Sequence, residues 1–553
     1  MERRTFLKIL SSAGIVSLVS PTFAMEVCKN KVSKSSSALL ESAFRNPPFS
    51  SGVYTWWHWM NGNITKDGIT RDLEAMKANG IAGYQLFEAG SGIPIGPVES
   101  LSDEWVDLIL HTLKESERLG LEFAMHNCPG WSSSGGPWIT PDKAMQIITW
   151  SETKITGGKQ VRIQLPTPKH MFDYYIDTYC LAIPANMKVI PRLSILELSN
   201  RLDKDGVLTW DVPTGEWLIM RFGQTAKDQK NKSAPSKSTG LDCDKFSTEA
   251  LDYHLNCMFK RLMPAMEKIA KHSKIGLLID SYETGDQDWT SDMPAYFEQS
   301  HGYELYPFLP VLANKIVESE ESTKRFLFDF RRVRADMFAE RYYGHFQKRC
   351  KEKGIITYTE PYGGNMMEEL QVAQQLDINM GEFWCGQTVL WANYKYNRTV
   401  KQVASIAHTL GGKVVGAEAF TSEPDADKWL QYPYALKSLG DYMFTRGLSR
   451  IYFHRFAHQP HPTAAPGMTM GAWGLHFDRT NTWWKPGKAW IEYLNRCQYI
   501  FQSSTFYGDI LYHNGDDSFG STIEPEQTLL APPEGYDYDL SLIHISEPTR
   551  LRC

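Results

Sequence analysis

The chain has 553 residues, of which 42% are hydrophobic and 22% charged, with a formal net charge of −6. That balance excludes a disordered chain, and a mildly acidic protein without a basic stripe carries no electrostatic footprint for nucleic acid. The 17 Trp and 26 Tyr are numerous; rings with apolar faces and polar edges fill cores and also stack on sugars.

At the N-terminus, Arg3 and Arg4 precede Thr5-Phe6-Leu7-Lys8, an apolar run from Ile9 to Val19 and a small-residue cleavage site at Thr22-Phe23-Ala24. This predicts a signal peptide over 1–24 that resembles a twin-arginine signal. The apolar run is too short to span a bilayer. The mature chain is therefore expected to have no transmembrane segment and to be periplasmic, cell-surface or secreted in a bacterium. The cysteines show no C-x-x-C spacing, so neither a zinc site nor a disulfide framework is indicated.

From residue 44 the chain alternates short apolar runs with amphipathic stretches. The first run is Gly52–Asn61, followed by a helix pattern from Ile69 to Asn79. The second is Ile81–Glu88, followed by a helix from Asp103 to Leu119 with Ser102 as N-cap and Gly120 as stop. The third is Leu121–Asn127. From Met145 to about Phe222 the text reads as antiparallel strands, which predicts an inserted β-sandwich-like domain over 145–225. A Lys- and Ser-rich loop, Lys227–Thr239, and a helix from Thr248 to His272 return the chain to the alternating pattern. The remaining runs are Ile275–Glu283, Ile355–Glu360, Ile378–Trp384, Lys413–Glu418 and Leu448–His454. Helix patterns lie between most of them, over 318–353, 397–410 and 428–445. Eight strands separated by helices predict an α/β fold, a TIM-like (β/α)8 barrel over 44–144 and 226–480 with the insert between strands 3 and 4. Residues 481–539 read as the start of a further C-terminal region. Leu540–Cys553 resembles a translated sequencing adaptor and is set aside from the fold, with the natural chain expected to continue.

In such barrels the chemistry gathers where strands end. Five of these runs end on or beside a glutamate: Glu88, Glu283, Glu360, Glu382 and Glu418. Glutamate is depleted in strands, and like charges converging in one pit cost stability unless they serve a function. Glycoside hydrolysis needs two carboxyl groups, one protonated and one ionised. Aromatic candidates on the rim are Trp57, Trp59, Trp131, Trp138, Tyr282, Tyr362, Phe383, Trp384 and Phe420. Candidate partners for sugar hydroxyls are His58, Asn61, His126, Asn127 and His454.

Several segments carry a family resemblance: Trp56-Trp57-His58-Trp59-Met60-Asn61-Gly62, His126-Asn127-Cys128-Pro129-Gly130-Trp131 and Asp280-Ser281-Tyr282-Glu283. Met380-Gly381-Glu382-Phe383-Trp384 and Gly416-Ala417-Glu418-Ala419-Phe420 do so too. From Phe44 to Asp539 the chain resembles the α-L-rhamnosidases of glycoside hydrolase family 106. The resemblance implies an exo-acting, inverting hydrolase of α-L-rhamnosides with a calcium ion near the sugar. It makes Glu283 the general acid and Glu418 the general base. Glu382 is the next candidate for water positioning, calcium ligation or the base itself. Glu360 and Asp280 become supporting carboxylates. Among the rim aromatics, Trp131 and Trp384 are the expected sugar contacts. No stretch has the linear spacing of a calcium loop, so the metal ligands stay unassigned. Carboxyl groups about 5–5.5 Å apart would predict retention and about 6.5–9.5 Å inversion. The alternatives are a glycosidase for a uronic acid or fucose on the same barrel, and a carbohydrate-binding protein without activity. A buried Arg or Lys pair in the pocket would favour a uronic acid, and an apolar patch would favour rhamnose.

Overall fold

The computed structural model describes residues 34–545 apart from 91, 365, 386–389, 423–427, 471–473, 516–523, 528–529 and 543–544, and excluding the side chains of 34–39 and 390–397. The expected signal peptide and most of the adaptor-like tail lie outside the described residues.

Eight parallel strands close a barrel: β1 (Tyr54–Met60), β2 (Gly83–Ala89), β3 (Glu122–His126), β4 (Ile275–Ile279), β5 (Ile356–Thr359), β6 (Ile378–Cys385), β7 (Gly416–Ser422) and β8 (Arg450–Ala457). Each strand pairs with its neighbour in sequence, and β8 closes on β1. Strand side chains alternate between two faces, and here both faces are buried. One face fills the barrel with Tyr54, Trp56, Phe87, Ala124, Leu278, Tyr358, Met380 and Tyr452. The other packs beneath the helices and includes Trp57, Trp59, Tyr84, Leu86, Phe123, Leu277, Phe383 and Phe453. Gly276 makes room inside: a Cβ there would stand 2.3 Å from the Tyr358 ring.

The helix Asp103–Leu119 starts and stops as its caps predict, with Ser102 accepting from the Trp105 amide and Gly120 at φ 65°. The single helix expected over Thr248–His272 is two, Thr248–Phe259 and Met263–Ala270. Pro264 sits in the first turn of the second, where its missing amide costs nothing; inside a continuous helix it would remove a bond and clash.

Between β3 and β4, Glu216–Ala226 pairs antiparallel with both Gln146–Thr156 and Ile176–Pro184. A second antiparallel pair, Lys159–Gln164 with Val207–Val212, shares an apolar cluster with this sheet through Ile155, Ala182, Ile219, Leu208 and Trp210. Near the C-terminus, Ile510–His513 pairs with Tyr538–Ser541. Leu540, Leu542 and Ile545, which the sequence set outside the fold, are buried against Leu370, Ala373 and Ile406.

Candidate active site

The two-residue period that fills the barrel decides which side chains crown it. Continuing the interior face upward from Trp56, Leu278, Tyr358, Met380 and Tyr452 brings His58, Asp280, Glu360, Glu382 and His454 to the C-terminal mouth. Glu418 joins them from β7, paired in register with Glu382 and Tyr452. A cavity of about 290 Å³ opens here, lined by Trp56, His58, Trp131, Asp280, Ser281, Glu283, Glu382, Trp384, Glu418, Thr421, His454 and Met470. Small-ligand sites run to about 300–1,000 Å³, so this one suits a single sugar ring more than an extended strand of glycan.

Eight of the residues expected at the site therefore meet at one cavity: Glu283, Glu418, Glu382, Asp280, His58, Trp131, Trp384 and His454. Four do not line it. Glu360 is fully buried beneath, accepting from the Tyr362 hydroxyl at 2.6 Å. His126 is buried, with Nδ1 2.8 Å from the Cys128 carbonyl and its ring stacked on Phe87. Asn127 holds the third strand's loop by donating to the carbonyls of Ser133 and Leu278. Asn61 takes a left-handed turn at φ 47° and donates to the Ile93 carbonyl at 2.6 Å.

Strand parity accounts for most of the other expectations that fail. Glu88 follows Tyr84 and Leu86 on the outer face of β2, so it points away from the mouth and accepts from Ser100 at 2.7 Å. Trp57, Trp59 and Phe383 likewise lie behind the wall. Tyr282 and Phe420 lie there too, against parity: Tyr282 comes after the strand has ended, and Phe420, at φ 61°, sits where the register of β6 and β7 shifts. Trp56, one residue from those expected, lines the cavity instead. Its place was legible from His58, since both must face the same side.

The electrostatics follow from burial. Loss of solvent pushes Asp280, Glu360 and Glu418 well above the usual carboxyl range. For Glu418 the charges of Glu382 and Asp280 add to this, while the hydroxyl of Thr421, which donates to it, opposes it. Asp280 and Glu360 share a hydrogen bond that partly offsets the burial of Asp280. Burial holds His58 and His454 well below the usual imidazole range and brings His126 down to about 4. Neutral imidazoles therefore face the carboxyls. His454 Nδ1 stands 3.6 Å from Glu418 Oε1. The indole of Trp384 donates to Glu382.

Glu283 differs from its neighbours. Its side chain is about half exposed (45%), accepts from Trp131 Nε1 at 3.2 Å and lies 3.8 Å from the Lys232 ammonium. Lys232 was not expected at the site, because its loop read only as exposed.

Three ring nitrogens of lining residues, Trp56 Nε1, His58 Nε2 and His454 Nδ1, are buried without a hydrogen-bond partner among the described residues. Such orphans are costly unless a ligand or water satisfies them. As for calcium, no three His, Cys, Asp or Glu side chains among the described residues converge as metal ligands. No step below runs through the ion. No described helix is long and apolar enough to cross a membrane.

Three comparisons bear on this arrangement. A protein from Formosa agariphila named "Putative beta-glucuronidase" is 40% identical over 535 residues, covering 91% of this chain and 44% of the relative. A solved rhamnosidase from Novosphingobium sp. PP1Y superposes with a TM-score of 0.82 at 24% identity, covering 92% of this chain and 64% of that one, which establishes the shared fold. The chain thus spans less than half of the curated relative and under two thirds of the solved neighbour. The glycoside hydrolase 106 family model, described as alpha-L-rhamnosidase, matches residues 45–174 and 169–545. With that match running over most of its length, the chain belongs to glycoside hydrolase family 106.

Proposed function

We propose that the protein is an exo-acting glycosidase that releases terminal α-L-rhamnose from a plant polysaccharide or glycoconjugate, with Glu283 as general acid and Glu418 as general base. The observation that supports this most is the meeting of both carboxyls in one small cavity whose unpaired ring nitrogens match sugar hydroxyls. Glu283 gives its proton to the glycosidic oxygen as the C–O bond breaks. Glu418 takes a proton from water, whose oxygen attacks the anomeric carbon from the opposite face. The anomer is thereby inverted. Trp131 fixes the orientation of Glu283 through its indole donor.

The relative's name raises a second reading, a glucuronidase. A uronate needs a fixed cation in the pocket to pair with its carboxylate. The described lining residues include no Arg or Lys, whereas Trp56, Trp131 and Met470 offer apolar surface suited to a deoxysugar methyl. The experiment is proton NMR of an aryl α-L-rhamnoside and an aryl β-glucuronide during hydrolysis, with the parent, Glu283→Gln and Glu418→Gln. Inverted rhamnose is expected from the parent, with a loss of more than about 10³-fold in each variant. Release of glucuronic acid alone would replace the substrate. Full activity in Glu418→Gln would move the base to Glu382.

A further inference from the structure

Residues 227–239 carry four lysines, Lys227, Lys230, Lys232 and Lys237, against one acid, Asp228, in a chain whose net charge is −6. Part of this segment is held against the loops that follow β2 and β3. The Gly90 amide donates to the Ser233 carbonyl at 2.6 Å, the Trp131 amide to the Lys232 carbonyl at 3.2 Å, and Asn231 Nδ2 to the Pro129 carbonyl at 3.1 Å. Gly130, at φ 80°, permits the approach: a Cβ there would meet the Lys232 oxygen at 1.9 Å. This seat brings the Lys232 ammonium to 3.8 Å from Glu283 Oε2, with the two side chains 51% and 45% exposed. A pair so open to water contributes little to folding. Lys227 donates to the Asp286 carbonyl and Lys230 stands 3.5 Å from Asp228, whereas Lys232 stands beside Glu283 at the cavity rim.

A general acid touches the oxygen that departs, so the sugar that carries that oxygen lies on the Glu283 side. Positive charge is thus placed beside the departing residue, while the described lining of the pocket has none. We propose that the leaving-group side is a subsite for an anionic sugar, whose carboxylate or sulfate oxygens pair with Lys232. The natural substrate is then rhamnose attached to an acidic residue of a polyanionic glycan. This rests on Glu283 being the acid.

The test compares three disaccharides: α-L-rhamnosyl glucuronate, its uncharged methyl ester, and α-L-rhamnosyl glucose sulfate. Each is cleaved by the parent, Lys232→Ala and Lys232→Arg. The parent is expected to prefer one or both anions over the ester by about tenfold in kcat/KM, a preference that weakens with salt. Lys232→Ala should abolish that ratio, whatever it does to the absolute rate, and Lys232→Arg should keep most of it. Which anion is preferred identifies carboxylate or sulfate. Cleavage of all three at equal kcat/KM, in a ratio unmoved by Lys232→Ala, would sink the anionic subsite alone. Failure of the parent on all three would sink the rhamnosidase reading and this subsite with it.

Discussion

Glu88 gives a sharp test of the parity argument, because it ends a barrel strand yet faces away from the mouth. It is buried, and burial lifts its carboxyl from 4.5 to about 7, against the pull of the Ser100 hydroxyl. A folded-state value above the unfolded one means that the folded protein holds an extra proton between those pH values. The stabilising contribution is full below about pH 4.5 and is lost as pH rises through 7. A rise from 4.5 to about 7 amounts to about 3 kcal/mol. Glu88→Gln removes the charge. Relative to the parent, the variant should therefore gain about 3 kcal/mol in stability between pH 4.5 and pH 8. Any constant offset reports how the amide NH2 fits beside the Ser100 hydroxyl and the Trp105 indole. For 553 residues unfolding as a unit, at about 2.1 cal/mol/K per residue, the gain is about 3 °C in Tm. Thermal unfolding of both proteins across this pH range measures it, with kcat/KM expected to stay within about twofold. A variant whose pH dependence parallels the parent's, or one that loses activity tenfold, would refute the outward placement.

Two further outcomes follow from the cavity and its support. Burial and the Glu382 charge both hold Glu418 up, and a base acts only when ionised, so activity should fall as pH drops through that raised value. Glu382→Gln removes one of the causes and should move the acid limb of the kcat/KM profile to lower pH; an unmoved limb would separate Glu382 from the base. Lys245 and Asp242, both fully buried, form an ion pair joined by the Ser134 hydroxyl, which secures the loop that carries Trp131. Lys245→Met should cost about 3–5 kcal/mol by stranding a buried carboxylate, and adding Asp242→Asn should recover much of it. Chemical denaturation of the single and double variants shows whether the second change repairs the first.

Local pattern in the sequence determined a good deal here. The alternation of apolar runs and amphipathic stretches specified eight strands in order, and capping residues placed the helix Asp103–Leu119. Of the five strand-end glutamates, Glu283, Glu382 and Glu418 meet at the cavity and Glu88 and Glu360 do not; Asp280, which the family resemblance implied, joins them. Parity was also present: His58 facing inward sends Trp57 and Trp59 outward and keeps Trp56 on its own side. Three things belonged to the tertiary structure alone. Loop geometry decided that Asn61 and Asn127 hold backbone carbonyls beside the mouth. Depth decided that Glu360 lies under the cavity floor. A hydrogen-bonded seat more than a hundred residues away in sequence decided that Lys232 reaches Glu283 through the Trp131 loop. The physical reason is common to all three: a pattern of period two or 3.6 fixes which face a residue occupies, whereas proximity across the barrel mouth depends on where separate loops are held against one another.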